Sequence, residues 1–354
     1  MQLINRIQAF AKLGKFMSQF SENNYLKKEN IPYNDLYFNK MVELIKQSKS
    51  HNGWFNESNI QFAFKSWGEC LTEKNLQKWT AQYNIDNSSN KKIAIILAGN
   101  IPLVGFHDFL SVLISGNNVI AKLSSNDKLL LPFLANYLIE LEPAFMDKIN
   151  FTSEQLVNFD AVIATGSNNT ARYFDYYFGK YPNIIRKNRN SVAILSGNET
   201  EHELIALADD IFRYYGLGCR NVSKIYIPEG YNFETFFKAI FYWKEIINDH
   251  KYINNYDYNK AVYLMSNINL LDNEFLLLKE DTNFSSPISV LFYEYYENLS
   301  DLKKTLEHEK ENIQCIVSNM EINQKVNFGD SQSPNLWDYA DDVDTLDFLL
   351  NLAN

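Results

Sequence analysis

The chain has 354 residues, 46% hydrophobic and 21% charged, with a formal net charge of −10. That is an ordinary composition for a soluble globular protein, long enough for two domains and a large core. The acidic balance argues against a nucleic-acid partner, which would call for a basic face, and against electrostatic docking to a membrane.

Residues 1–83 read as amphipathic helices, with short loops near Asn23-Asn24 and Asn52-Gly53. The cluster at 86–90 reads as a turn or linker. The pattern then changes. Residues 92–97 (Lys-Ile-Ala-Ile-Ile-Leu) form a short apolar run, as expected of a strand covered on both faces. A helix is expected over 103–115, a turn at 116–118, a strand over 119–123 and a helix over 126–140. Residues 147–151 and 159–165 read as strands, 168–178 as a helix, and 191–195 as the strand that completes the series. Strands alternating with helices predict a doubly wound parallel sheet, with ligands bound beyond the carboxyl ends of its strands. The loops at 98–102, 122–125 and 165–168 all follow strands and should share one rim.

A helix over 201–215 leads to two glycines, Gly216 and Gly218, and then to a strand over 223–228. Further strands are expected at 288–293 and 313–317, with helices over 232–248 and 298–310. The polar stretch 252–259 reads as a solvated loop or short helix. The acidic, aromatic segment 335–344 precedes a last amphipathic helix over 345–352. The expected division is 1–198, comprising the N-terminal helices and a dinucleotide-binding domain, then 199–330 as a second α/β domain. Residues 331–354 form a tail that packs back on the body.

Cys219 lies on the glycine-loosened corner between that helix and strand, where a thiol can act as a nucleophile toward an acyl group. The other two cysteines, Cys70 and Cys315, read as small buried side chains. Three cysteines without CxxC spacing argue against a disulfide framework or a zinc site, and no metal is expected. No signal-peptide core opens the sequence and no apolar run approaches a membrane span. The expected location is the cytoplasm, without stable membrane insertion.

Three loops add chemistry. Asn100, after Gly99 at the end of the first strand, is placed either as an oxyanion donor or as a helix cap. Lys122, closing the second strand, either holds an anionic ribose or phosphate or extends into solvent. Gly166 and Ser167 open a helix, whose N-terminus suits a pyrophosphate or serves as a simple cap. No GxGxxG fingerprint is present. Arg220 could favour the Cys219 thiolate or form a salt bridge elsewhere, and His107 is placed for packing or catalysis.

Taken in order, these elements (Asn-x-Pro, Gly-Asn-x-Val-x-x-Lys-x-Ser, Thr-Gly-Ser and Gly-x-x-Cys) resemble those of the aldehyde dehydrogenase superfamily. Residues 218–223 and 337–341 bring the chain closest to the acyl-CoA reductases of the LuxC type. The resemblance implies an aldehyde-dehydrogenase-like α/β fold and NADPH-dependent reduction of an acyl-CoA, or another acyl-carrier thioester, to an aldehyde. Cys219 would accept the acyl group, and Asn100 with the Cys219 N–H would hold the oxyanion. Lys122, Ser124, Ser125, Gly166 and Ser167 would line the NADP site. The general-base Glu of the hydrolytic members is missing from 194–197, the stretch taken to match it, which fits acyl exchange with a thiol. Ser125 replaces a ribose-binding Glu, removing a charge that would repel a 2′-phosphate. An aldehyde or semialdehyde dehydrogenase, or a catalytically silent subunit of the same fold, remain alternatives, and a homodimer is left open.

Overall fold

A computed structural model describes residues 1–22, 24–85 and 90–352. The chain divides into two compact units, residues 1–187 with 335–354, and residues 188–334. The expected linker at 86–90 falls largely outside the described residues.

The first unit begins with four helices, α1 (Leu3–Met17), α2 (Asn34–His51), α3 (Glu57–Cys70) and α4 (Glu73–Thr80). Their starts follow local chemistry. The Asn56 side chain accepts the N–H of Asn59, and Thr72 accepts that of Asn75, satisfying donors that a helix N-terminus leaves open. On α1, Phe10, Leu13, Phe16 and Met17 recur at helical spacing and are fully buried.

Next come β1 (Lys92–Ile96), α5 (Phe106–Ser115), β2 (Asn118–Lys122), α6 (Leu130–Leu141), β3 (Ile149–Thr152), β4 (Ala161–Thr165), α7 (Asn168–Phe178) and β5 (Asn183–Arg186). The five strands form a parallel sheet in the order β3-β2-β1-β4-β5. The order reverses at β1, so a crevice opens beyond the ends of β1 and β4. Ile96 pairs with Lys122, and Ala164 pairs with Ile96, so the loops after β1, β2 and β4 leave from one edge. Two helices start later than the sequence suggested, at Phe106 and Leu130, because the chain first makes turns. Leu103 has a φ of 58° there. Strand β5 went unread in the sequence.

The second unit contains β6 (Asn190–Ile194), α8 (Glu201–Phe212), β7 (Val222–Pro228), α9 (Phe233–Ile240) and α10 (His250–Met265). It continues with β8 (Leu271–Asp272), β9 (Leu277–Glu280), β10 (Val290–Tyr296), α11 (Leu299–His308), β11 (Ile313–Val317) and β12 (Lys325–Val326). Its sheet runs β12-β11-β6-β7-β10-β9-β8, parallel except for the pairing of β8 with β9. Strand β6 was expected to complete the first sheet. It pairs instead between β11 and β7, so the division between units lies before the 198/199 boundary read from the sequence. Of the two readings of 252–259, the helix holds: the stretch is part of α10, which is longer than the short helix expected.

The tail returns to the first unit as a 3-10 turn and helix α12 (Thr345–Leu350). Its aromatic segment is structural. The Tyr339 hydroxyl accepts the Trp79 indole N–H at 2.7 Å and lies 2.7 Å from the Tyr83 hydroxyl, which donates to Asp344 at 2.6 Å. The guanidinium of Arg186, at the end of β5, pairs with buried Asp108 and donates to the Thr345 hydroxyl at 2.9 Å. Among the described residues, no helix is long and apolar enough to cross a membrane.

Candidate active site

The rim of the first unit is assembled by packing between loops. A Cβ on buried Gly99 would stand 2.5 Å from the Ser124 Oγ, so only glycine lets the loop after β1 lie against the loop after β2. Buried Asn52, between α2 and α3, stitches both loops to the N-terminal helices. Its amide donates to the Gly99 and Asn126 carbonyls, each at 3.3 Å, and its oxygen accepts the Trp54 N–H at 3.0 Å. Asp127 completes the clamp, accepting the N–H groups of Leu103 and Leu130. Burial outweighs those bonds and pushes its carboxyl up to about 6.

Asn100 lies half-buried in this loop, before the turn that precedes α5. It does not cap that helix; the cap position belongs to Gly105. Lys122, half-buried at the end of β2, donates from Nζ to the Glu154 carbonyl at 3.2 Å. The Ser124 Oγ accepts the Asn126 N–H at 3.2 Å, and Ser125 beside it is exposed. A Cβ on Gly166 would press against Thr170 and Phe174, so the glycine lets α7 close tightly on β4. Ser167 caps α7, with its Oγ accepting the Thr170 N–H at 3.3 Å. The cap and the exposed helix N-terminus coexist at this position. The donors along the edge are thus an ammonium, hydroxyls and helix N–H groups, and no carboxylate stands among residues 122–126. That set fits an anionic dinucleotide.

In the second unit, Cys219 is exposed on a tight turn. The Asn221 N–H closes it by donating to the Gly218 carbonyl at 3.0 Å. The approach is strained. After α8 ends at Phe212, Tyr214 and Tyr215 adopt φ values of 55° and 59°, unusual for bulky residues, and Gly216 follows at 75°. Two buried side chains pin the turn. Asn221 accepts the Gly218 N–H at 2.8 Å and donates to the carbonyls of Asp210 at 2.9 Å and Arg213 at 2.8 Å, at the end of α8. Ser191, in β6, donates to the Cys219 carbonyl at 3.0 Å. Asp210 in turn accepts the N–H groups of Gly329 at 2.7 Å and Ser331 at 3.0 Å. Burial pushes its carboxyl up to about 6 despite those bonds.

This geometry corrects one sequence alignment. The turn carrying Cys219 lies beside Ser191, at the start of β6, whereas residues 194–197 lie at the other end of that strand. Five residues of strand span roughly 16 Å. The stretch that enters β6 on the thiol's side is Asn188-Arg189-Asn190, and it too carries no carboxylate. Glu199, beyond the far end, is occupied by the N–H groups of Ser196 at 2.5 Å and Gly197 at 3.1 Å and by the Ser196 hydroxyl at 2.7 Å.

Other candidates have structural roles. His107 Nε2 lies 2.8 Å from the Leu336 carbonyl, inside a cluster with Trp67, Trp79 and Tyr339. Cys70 is half-buried and Cys315 buried, and burial pushes each thiol up to about 11. Among the described residues, no group of three or more His, Cys, Asp or Glu could hold a metal ion. Sequence reasoning missed Asn52, Ser191 and Asn221, whose importance rests on buried hydrogen bonds. The one visible hint was an Asn two positions after the cysteine.

A family model described as "Acyl-CoA reductase (LuxC)" matches residues 4–240. The fold is similar to that of aldehyde dehydrogenase 21 from Physcomitrella patens, solved in complex with the reaction product succinate. That likeness has a TM-score of 0.66 at 11% identity, covering 91% of this chain and 74% of that one. An indole-3-acetaldehyde dehydrogenase complexed with NAD+ gives a TM-score of 0.63 at 12% identity, covering 91% of this chain and 73% of the other. An aldehyde dehydrogenase from Bacillus cereus, also an NAD+ complex, gives 0.60 at 13% identity, with the same coverage of 91% and 73%. No curated protein matches in sequence.

Proposed function

The chain belongs to the LuxC acyl-CoA reductase family, and from that premise we propose that it reduces an acyl-CoA or acyl-carrier thioester with NADPH, through an acyl-cysteine on Cys219. Family and fold together make it an oxidoreductase that converts acyl-CoA to aldehyde. The observation that carries the finer reading is the exposed Cys219 on a pinned, strained turn, in a chain whose other two cysteines are structural.

In this reading the Cys219 sulfur, as thiolate, attacks the thioester carbonyl carbon. The bond to the carrier sulfur breaks, and the carrier leaves as a thiol with the proton. The resemblance to the aldehyde dehydrogenase superfamily assigns the charge on the carbonyl oxygen to the Asn100 amide and the Cys219 N–H. NADPH, when bound along the rim of the first unit, supplies a hydride to the acyl carbon. The bond to Cys219 then breaks, and the aldehyde departs. Two of the structural neighbours bind NAD+, which supports a nicotinamide dinucleotide here. Lys122 and Ser125 support the 2′-phosphorylated form, since a cation and a neutral hydroxyl stand where a carboxylate would repel it. Asn188-Arg189-Asn190 beside the thiol turn offers no base to activate water against the acyl-enzyme.

The test is intact-mass spectrometry after incubation with a panel of acyl-CoAs, with and without NADPH. An adduct that maps to Cys219, disappears on adding NADPH and never forms in Cys219→Ala is the expected result. Absence of an adduct with every acyl-CoA would sink the reading.

A further inference from the structure

We propose that Ser191 and Cys315 are positioning residues for Cys219, joined in a one-way hydrogen-bond chain that ends on the Cys219 backbone carbonyl. The proposal rests on Cys219 being the acyl acceptor.

The direction of the chain follows from counting protons. The Ser191 Oγ lies 3.0 Å from the Cys219 carbonyl oxygen and 3.0 Å from the Cys315 Sγ. A carbonyl can only accept, and a hydroxyl has one proton. Ser191 therefore donates to Cys219, and Cys315 must donate its S–H to Ser191. That requires a protonated thiol, and burial in β11 keeps Cys315 protonated, with its titration pushed up to about 11. Cys315 is thus the orienting donor of a buried serine, beyond the apolar filler its surroundings suggested.

The sheet is deformed at this place on both sides. Against β7, Ser191 pairs with Val222 but Val192 pairs with Lys224, leaving Ser223 as an extra residue. Against β11, Asn190 pairs with Ile313 but Val192 with Ile316, so Gln314 and Cys315 stand opposite Ser191 alone. Bulges are rare between parallel strands, and they re-aim side chains next to functional sites. Here one bulge brings the Cys315 sulfur onto the Ser191 hydroxyl. The other lies at the start of β7, just after the turn that bears Cys219. A fixed Cys219 carbonyl fixes the following peptide plane, because the peptide is rigid and trans. The thiol's backbone is then set before substrate arrives, which shortens the search for an attacking geometry.

The experiment measures the rate of acyl-adduct formation on Cys219 in the full chain. Adducts from one medium-chain and one long-chain acyl-CoA are quenched at intervals and mapped by peptide mass spectrometry. Ser191→Ala should acylate about tenfold more slowly, the worth of roughly one hydrogen bond. Ser191→Thr, which keeps the hydroxyl, should recover most of that rate, and NADPH binding should be the same in all three proteins. Cys315→Ser should keep the wild-type rate while Cys315→Ala slows it, a comparison that stands even if Ser191→Ala fails to fold. Wild-type rates in both alanine variants, or serine and threonine replacements no better than alanine, would overturn the inference alone. No adduct on Cys219 in the wild type would overturn it together with the reading beneath it.

Discussion

The side-chain oxygen of Asn221 accepts the backbone N–H of Gly218 at 2.8 Å, while the same amide donates to carbonyls at the end of α8. One fully buried residue thus closes a helix and shapes the turn that bears Cys219. Replacing it with alanine would orphan the Gly218 N–H and the Asp210 and Arg213 carbonyls. Each orphaned group costs about 1–3 kcal/mol. Asn221→Ala should therefore lose several kcal/mol in urea unfolding and acylate Cys219 poorly. Asn221→Asp keeps the acceptor but loses the donors, and should fall between. Wild-type stability in Asn221→Ala would remove the residue from this role.

Asn52 plays a parallel part for the rim of the first unit, binding the Gly99 and Asn126 carbonyls from the N-terminal helices. Asn52→Ala should cost about 1–3 kcal/mol and loosen the two loops together. NADPH affinity, read by fluorescence titration, should fall several-fold. Unchanged affinity with lowered stability would confine Asn52 to folding.

How legible these features were depended on what kind of residue carried them. The apolar strands β1, β4, β6 and β11 stood out because their residues are covered on both faces. Helix α10 did not, although its buried positions, Tyr252, Tyr256 and Asn259, have helical spacing. They are polar residues that pay for burial through the Phe275 carbonyl, Asp272 and the Ile288 carbonyl. No pattern of apolar residues reveals such a helix. Strands β8 and β12, two residues each, are too short to show a period. The likeness of 194–197 to a catalytic stretch failed because a local match says nothing about which end of a strand faces the thiol. The cysteine and the three strand-end loops were visible from residue type and order. Of their supports, Asn52 and Ser191 act across 28 or more residues and were invisible for that reason, whereas Asn221 acts locally and left a hint two positions after the cysteine.

Asn100 lies in the loop after β1, and Gly105 caps the following helix. Replacing Asn100 tests the oxyanion role proposed for its amide. Removing one oxyanion donor typically costs about 10²–10³ in rate. Asn100→Ala should show that loss in single-turnover reduction of the acyl-enzyme. A loss of less than about threefold, well below that range, would remove Asn100 from the oxyanion site.

Cofactor choice should be reversible at one exposed position. Ser125 follows Ser124 on the rim, near the end of β2 where Lys122 lies. A carboxylate there would repel a 2′-phosphate and accept a 2′-hydroxyl. Ser125→Glu should weaken NADPH by about tenfold or more relative to NADH, a difference of about 1.4 kcal/mol. Competitive titration of the two cofactors measures it. An unchanged ratio would place the adenosine ribose away from Ser125.

Asp210 makes folding and pH interdependent at the base of the thiol turn. Its carboxyl is fully buried and titrates at about 6 in the folded chain, against an ordinary value of 3.8. Between those values the folded chain holds a proton that the unfolded chain has released. Its favourable contribution is therefore complete below the ordinary carboxylate range and is lost as pH rises toward about 6. The loss is on the order of 2–3 kcal/mol, at about 1.4 kcal/mol for each unit. Asp210→Asn has no such proton to lose. In urea unfolding across this range, the stability difference between wild type and Asp210→Asn should drift toward the variant as pH rises, then level off above the folded-state titration. Parallel profiles would mean that ionising Asp210 costs the fold nothing, and that water or the Gly329 and Ser331 N–H groups fully compensate its burial.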